Sequence, residues 1–146
     1  MSQRLALLEL EVANVARWLA AFSGSRPPRV GLGNSGESLW VHNFPLPDRY
    51  RPDHVSLAMV VRDFPVEPPK GLYLLSEGTD GAMLQALKAR FNVFQDKAFH
   101  GAPAMEGFEW ICVGYLNGWR YNVHAPHRGD NIHKMLCEFW RLLEET

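Results

Sequence analysis

Hydrophobic residues recur at helical spacing near both ends of the chain. Between residues 3 and 22, apolar side chains return every three or four positions, which predicts an amphipathic helix. They are Leu5, Leu8, Val12, Val15, Leu19 and Phe22. Polar residues such as Glu11 fall mostly on other faces, and Pro27-Pro28 prevents the helix from continuing.

A second helix is predicted over Asp130–Glu145, with Asp130 as its N-cap. Its apolar stripe contains Ile132, Leu136, Phe139, Trp140 and Leu143. Cys137 lies beside this stripe, and we assign it to packing. A third helical pattern covers Thr79–Phe94. The residues between this pattern and the last helix, including those around Cys112, show no regular periodicity.

Short alternating segments between the first and third helical patterns predict β-strands. The clearest is His54–Arg62, where Val55, Leu57, Met59 and Val61 alternate with the other positions. Strands are also predicted on both sides of a turn at Asn34–Gly36 and over Gly71–Leu75. Because their connections are short, we expect antiparallel neighbours. The prediction is an α+β domain with a four-stranded meander sheet that is packed by helices on one face.

Gly31, Gly33 and Gly36 have the G-x-G-x-x-G spacing of a dinucleotide-binding loop. That loop requires a helix after it, so that the helix N-terminus meets the pyrophosphate. Here the next residues, Glu37–Phe44, have a strand-like composition. The sequence therefore favours a β-hairpin turn over a nucleotide site.

Composition narrows the class of protein. The 146 residues, 47% of them hydrophobic, suit one domain spanning 1–146. A net charge of −1 provides no basic excess for nucleic acid, and no apolar segment is long enough to span a membrane. The N-terminus has no signal-peptide pattern. Two cysteines do not form a disulfide framework, which favours free thiols and a cytoplasmic location.

Several motifs follow one another in an order that resembles ubiquitin-conjugating enzymes, which have a UBC-like fold. They are the step Phe64-Pro65-Val66-Glu67-Pro68-Pro69-Lys70, a loop with His100 and Pro103, Gly107 ahead of Cys112, Trp119 seven residues after it, and a final helix. The resemblance covers nearly the whole chain. It implies an N-terminal helix, a four-stranded antiparallel meander and C-terminal helices.

The chain departs from the compact members of that family in three ways. The predicted helix at Thr79–Phe94 is an insertion, the chain is shorter at its end, and the asparagine of the family's His-Pro-Asn motif has no counterpart in His100-Gly-Ala-Pro103. A shortened chain that lacks this asparagine resembles the bacterial branch. That branch occurs in gene clusters with an activating enzyme, a ubiquitin-like protein and a protease, which are linked to antiviral defence.

The resemblance implies that Cys112 takes the C-terminus of a ubiquitin-like protein from an activating enzyme and transfers it to an amine of a protein target. A thiolate suits both steps, because it is a strong nucleophile and a good leaving group. The nearby Arg120, His124 and His127 are candidates for raising the thiolate fraction, or belong to a solvated loop. No cofactor is implied.

The accessory groups remain open. Asn117, a backbone N–H or His100 is a candidate donor to the oxyanion of the tetrahedral intermediate. His100 has an alternative structural role. Asp130 is a candidate base for the attacking lysine. The resemblance also implies that the first helix docks the activating enzyme, with Arg4 and Arg17 as the charged contacts near the Gly33–Gly36 turn.

Other classes of protein fit less of the sequence. The main alternative is a catalytically inactive relative that binds a ubiquitin-like protein as a scaffold, which the missing asparagine favours. A hydrolytic Cys–His enzyme lacks an orienting third residue. A metal site built from Cys112, His124, His127 and His133 is disfavoured, because the chain contains no Cys-x-x-Cys or His-Glu-x-x-His motif.

Overall fold

The computed structural model describes residues 2–22, 26–69, 72–75, 85, 89, 92–94, 107–112 and 118–145. The fold is α+β, with a helix before an antiparallel sheet and a helix after it. The elements are α1 (Gln3–Leu19), β1 (Arg29–Gly33), β2 (Ser38–Pro45), β3 (His54–Val60), β4 (Leu72–Leu75), β5 (Asn92–Phe94), β6 (Phe108–Cys112) and α2 (Ile132–Glu144). Short 3₁₀ turns lie at Asn34–Gly36 and Pro126–Arg128.

The sheet has six strands in the order β1-β2-β3-β4-β6-β5, and every adjacent pair is antiparallel. The four-stranded meander is confirmed as its first part, whereas the predicted strand count of four is wrong. Strand β6 lies between β4 and β5, with Leu72 opposite Ile111. The expectation that the residues around Cys112 are irregular is therefore wrong for Phe108–Cys112.

The helix predicted over Thr79–Phe94 is wrong at its C-terminal end. Gln85 and Ala89 have helical backbone, but Asn92–Phe94 forms β5 and pairs with β6. Phe94 fits an apolar stripe of helical spacing, and its pairing with Trp110 of a strand distant in sequence overrides that local pattern. Within residues 118–145 one α-helix, α2, follows the sheet, where the resemblance implies several.

The glycine-rich segment forms the predicted hairpin. Strands β1 and β2 pair on either side of the Asn34–Gly36 turn, and the residues after Gly36 form β2. Gly36 has a φ of +86°, and a Cβ there would collide with Leu5 of α1. The left-handed backbone conformation favours glycine at this position, and the Leu5 side chain of α1 approaches it closely.

Both helices pack on one face of the sheet around a single main core. The core includes Leu8 and Val15 of α1, Leu57 and Met59 of β3, and Phe139 of α2. On the opposite face a smaller buried cluster contains Ala58, Val60, Tyr73 and Trp110. The alternation of β3 side chains between the two clusters explains why both of its faces are apolar.

The loop between β2 and β3 is joined to the end of α2 by Arg49. Its Nη2 donates to the carbonyl oxygen of Leu143, and its guanidinium lies 5.1 Å from the centre of the Tyr50 ring. The last turn of α2 is thereby held against the loop that follows the meander's second strand. Among the described residues, no helix has the length and apolar character needed to cross a membrane.

Candidate functional site

Cys112 is the last residue of β6, where its backbone is paired with Asn92 of β5. Strand β6 begins after Gly107, whose φ of +83° is a conformation that glycine adopts readily. On its other side β6 pairs with β4, the strand that follows the proline-rich step. The candidate nucleophile therefore lies on β6, which is the strand next to the edge strand β5.

Trp119 connects the segment after Cys112 to the proline-rich step. The Phe64–Pro65 peptide is cis, and the indole Nε1–H of Trp119 donates to the carbonyl oxygen of Pro65 at 2.9 Å. The Trp119 ring lies edge-on to Phe64 and stacks on Tyr121, and the Phe64 and Tyr121 rings also meet edge-on. The hydrogen bond and the ring contacts fix the relative positions of two segments that lie 54 residues apart in sequence.

Asp130 has a structural role that differs from the predicted one. The N-cap of α2 is Asn131, whose side chain accepts from the backbone N–H of Lys134 at 2.8 Å, so the assignment of Asp130 as N-cap is wrong. The Asp130 carboxylate instead accepts from the backbone N–H of Arg120 at 2.7 Å. The backbone N–H of Asp130 donates to the Arg120 carbonyl at 2.8 Å, which closes the loop.

Gly129 permits this loop closure, because a Cβ at that position would lie 2.7 Å from the Arg120 carbonyl oxygen. Within the loop, the side chain of Asn122 accepts from the backbone N–H groups of His124 and Ala125, both at 3.0 Å. Arg120, His124 and His127 are exposed. This exposure agrees with the solvated-loop interpretation, and their effect on the Cys112 thiolate stays a prediction.

The two arginines predicted to bind a partner have different environments. The half-buried Arg4 donates from Nη2 to the carbonyl oxygens of Gly36 and Val61, at 2.6 and 2.5 Å. It thereby fastens α1 to the hairpin turn and to the residue after β3. Arg17 is exposed, and Asn14 accepts from its Nη1 at 3.5 Å. Arg17 is therefore the more accessible of the two for a partner.

His100 and Asn117, the other proposed accessory residues, lie outside the described residues. The donor to the oxyanion accordingly stays a prediction. Among the described side chains, no three of the types His, Cys, Asp and Glu lie close enough together to hold a metal ion.

Glu11 is a buried carboxylate that the sequence pattern places among the polar positions. That expectation is wrong, because Glu11 is 0% exposed and its Oε1 accepts from the backbone N–H of Ile132 at 2.6 Å. The contact joins α1 to the first residue of α2. Burial raises the pKa of Glu11, and the hydrogen bonds from the Ile132 and His133 backbone partly oppose this effect.

Cys137 and His133 form a second unpredicted contact. The Sγ of Cys137 lies 3.2 Å from Nε2 of His133, one turn earlier on α2. Both side chains are half-buried, so packing alone does not describe Cys137. Burial raises the pKa of the Cys137 thiol and lowers the pKa of His133, which nearby Lys134 lowers further. The spacing of four residues on a helix is a sequence signal for this contact.

Comparison of the chain with known protein families, curated proteins and solved structures gives no match.

Proposed function

We propose that this chain is a bacterial ubiquitin-conjugating-like enzyme that carries a ubiquitin-like protein as a thioester on Cys112. One observation carries most of the proposal: the 2.9 Å hydrogen bond from Trp119 to Pro65. It brings together two segments on which the resemblance rests, the proline-rich step and the tryptophan after the cysteine.

The sheet supports the same arrangement. The proline-rich step precedes β4, β4 pairs with β6, and β6 ends at Cys112. Trp119, seven residues after Cys112, donates a hydrogen bond to the carbonyl oxygen of Pro65. The proline step, the cysteine and the tryptophan therefore belong to neighbouring parts of one region, following an N-terminal helix and a meander, as the UBC-like fold would require.

The proposed chemistry has two acyl-transfer steps. The Cys112 sulfur bonds to the C-terminal carbonyl carbon of the ubiquitin-like protein, and the thiolate of the activating enzyme leaves. The amine of a protein target then forms a C–N bond with the same carbon, and the Cys112 thiolate leaves as the amine gives up a proton. His100 and Asn117 are the proposed donors to the oxyanion, and Asp130 is the proposed base.

The activating enzyme is proposed to dock on α1. The exposure of Arg17 supports this surface, and Arg4 contributes by holding α1 against the hairpin turn. A cytoplasmic location and a part in antiviral defence rest on the resemblance to the bacterial branch.

The alternative is an inactive scaffold that binds a ubiquitin-like protein without forming a thioester. The backbone of Cys112 is paired with Asn92 in the sheet, and does not lie in the irregular segment that the sequence predicts around this residue. This difference favours the scaffold. The absence of the family asparagine points the same way.

A charging reaction distinguishes these functions. Purified protein is mixed with ATP, an activating enzyme and a ubiquitin-like protein of the kind that the resemblance implies. We expect an adduct that a thiol reductant cleaves, and no adduct with Cys112→Ala. Cys137→Ala is the matched control and should charge normally. If the ubiquitin-like protein binds and no adduct forms, the scaffold function is supported and the enzyme function is wrong.

A further inference from the structure

The outer surface of α1 and α2 carries two grooves of opposite charge. The basic groove, of about 420 Å³, lies at the start of α2, and its lining includes Arg17 and Lys134. The acidic groove, of about 500 Å³, lies at the end of α2. Its charged lining residues are three carboxylates and one guanidinium: Asp48, Asp53, Glu144 and Arg49. The two ends of α2 therefore lie beside charges of opposite sign.

The charges of both grooves are accessible to a partner molecule. Arg17 and Lys134 are exposed, and no carboxylate is found among the described residues that line the basic groove. In the acidic groove, Asp48 and Glu144 are exposed. Arg49 offsets only one of the three carboxylates there, so this groove keeps an excess of negative charge.

Half-buried aromatic rings join the two grooves. Trp18 lines the basic groove, whereas Phe22 and Trp140 line the acidic groove. The centre of the Phe22 ring lies 5.4 Å from the centre of the Trp18 ring and 5.4 Å from that of the Trp140 ring. All three side chains keep part of their surface accessible to solvent. One continuous surface therefore has an aromatic centre, a basic end and an acidic end.

The dimensions of this surface suit contact with a second copy of the chain. Lys134 and Glu144 mark its two ends on α2, which at 1.5 Å per residue places them about 15 Å apart along the helix axis. A half-turn about an axis through the aromatic centre exchanges the two ends. It places the basic groove of one copy on the acidic groove of the other, and the reciprocal contact forms at the same time. Two-fold interfaces of this self-complementary kind are the commonest in homo-oligomers.

We propose that this surface is the interface of a symmetric dimer of the chain, in which the basic groove of each copy faces the acidic groove of the other. A second copy is the favoured occupant because it complements both grooves at once. An acidic or a basic segment of another protein complements only one of them. The aromatic rings then lie at the centre of the interface, where aromatic side chains are enriched.

The dimer does not depend on the proposed conjugating function, because it involves neither Cys112 nor the proline-rich step. Arg17 is also the proposed contact for the activating enzyme, so a dimer and a docked activating enzyme exclude each other at this residue. The test of the dimer contains no activating enzyme and measures association alone. Its failure leaves the conjugating function standing, and failure of the charging reaction leaves the dimer standing.

Sedimentation velocity of the full-length protein over a concentration series tests the interface. At low ionic strength the wild type should pass from monomer to dimer as its concentration rises, and added salt should weaken the dimer by screening the charges. Arg17→Glu and Glu144→Lys should each remain monomeric over the same range, because each substitution places like charges opposite each other twice in the symmetric interface. Far-ultraviolet circular dichroism establishes that each variant is folded.

Two control variants separate the interface from a general effect of net charge. Arg62→Glu and Glu9→Lys change the net charge by the same amounts as the two interface variants. Both positions are exposed, and neither lines the basic or the acidic groove. Both controls should form dimers over the same concentration range as the wild type.

Mixing Arg17→Glu with Glu144→Lys tests the reciprocal contact. In the mixed pair each introduced charge meets its opposite, and the unchanged Arg17 of one chain meets the unchanged Glu144 of the other. The mixture should therefore form a heterodimer, although each variant alone is monomeric. A wild type that stays monomeric throughout would overturn the proposal and leave the surface to another protein. Charge reversals that do not weaken the dimer, or a mixture that stays monomeric, would also overturn it.

Discussion

Glu11 offers a sharp test of how the first and last helices are joined. Its Oε1 accepts from the buried backbone N–H of Ile132 at 2.6 Å. Glu11→Gln keeps both the side-chain length and a carbonyl acceptor, whereas Glu11→Met keeps the length and removes the acceptor. The pair of variants therefore isolates the hydrogen bond with little change in volume.

Leaving a buried backbone donor unpaired costs about 1–3 kcal/mol. Glu11→Met should be less stable than Glu11→Gln by that amount, which corresponds to roughly 3–10 °C in thermal midpoint for a domain of this size. Urea denaturation and thermal unfolding at neutral pH measure the difference. Equal stability of the two variants would refute the conclusion that the contact with Ile132 holds α2 against α1.

The same position predicts a pH dependence. Burial raises the pKa of Glu11 above its ordinary value of 4.5, so the folded protein retains a proton that the unfolded chain releases. The wild type should lose stability as pH rises from about 4.5 through the raised pKa. Glu11→Gln cannot titrate there and should gain stability relative to the wild type over that interval. A pH-independent difference between them would contradict the raised pKa.

Four further substitutions test other contacts. Trp119→Phe keeps an aromatic ring but removes the hydrogen-bond donor to Pro65, and should lower the free energy of unfolding by about 1 kcal/mol in urea denaturation. An unchanged free energy of unfolding would contradict the role of that hydrogen bond. Asn131→Ala removes the N-cap of α2 and should lower the free energy of unfolding by about 1 kcal/mol; a null effect would argue against the assigned cap. Arg4→Ala should lower the thermal midpoint, because two hydrogen bonds to carbonyl oxygens are lost. Arg17→Ala should leave the thermal midpoint unchanged and should slow charging, most strongly at low salt. Equal effects of the two substitutions on the thermal midpoint would contradict the different environments of the two arginines.

Local sequence patterns are sufficient to predict the elements that depend on residues close together in the chain. The β1–β2 hairpin is predictable because glycine at position 36 permits the turn and strand-like residues follow it. The N-terminal helix is predictable from its apolar spacing, although it ends at Leu19 and not at residue 22. These features depend on residues close together in the chain.

The sheet beyond β4 depends on pairing between distant segments. Strands β5 and β6 contain only three and five residues, and the helical spacing that ends at Phe94 is as regular as that of a true helix. Glu109 in β6 is buried, which obscures the polar and apolar alternation of a strand. Pairing of β6 with both β4 and β5 decides the structure, and no local pattern predicts it.

The candidate site shows the same division. The contact of Trp119 with Pro65 is not predicted from the sequence, since periodicity gives no information about contacts across 54 residues. Asp130 and Asn131 are both good N-cap residues, and only the contact of Asp130 with Arg120 shows why Asn131 takes that place. Glu11 is buried because α2 presents an unpaired N–H to it, which its own helix cannot reveal.

The most direct measurement of the central claim is mass spectrometric location of the adduct. After charging with the cognate ubiquitin-like protein, free thiols are blocked, the adduct is released with hydroxylamine, and the newly exposed thiol is labelled and mapped. We predict the label on Cys112, with Cys137 blocked from the start. A label on Cys137, or charging of Cys112→Ala at the wild-type rate, would contradict the assignment of Cys112 as the nucleophile.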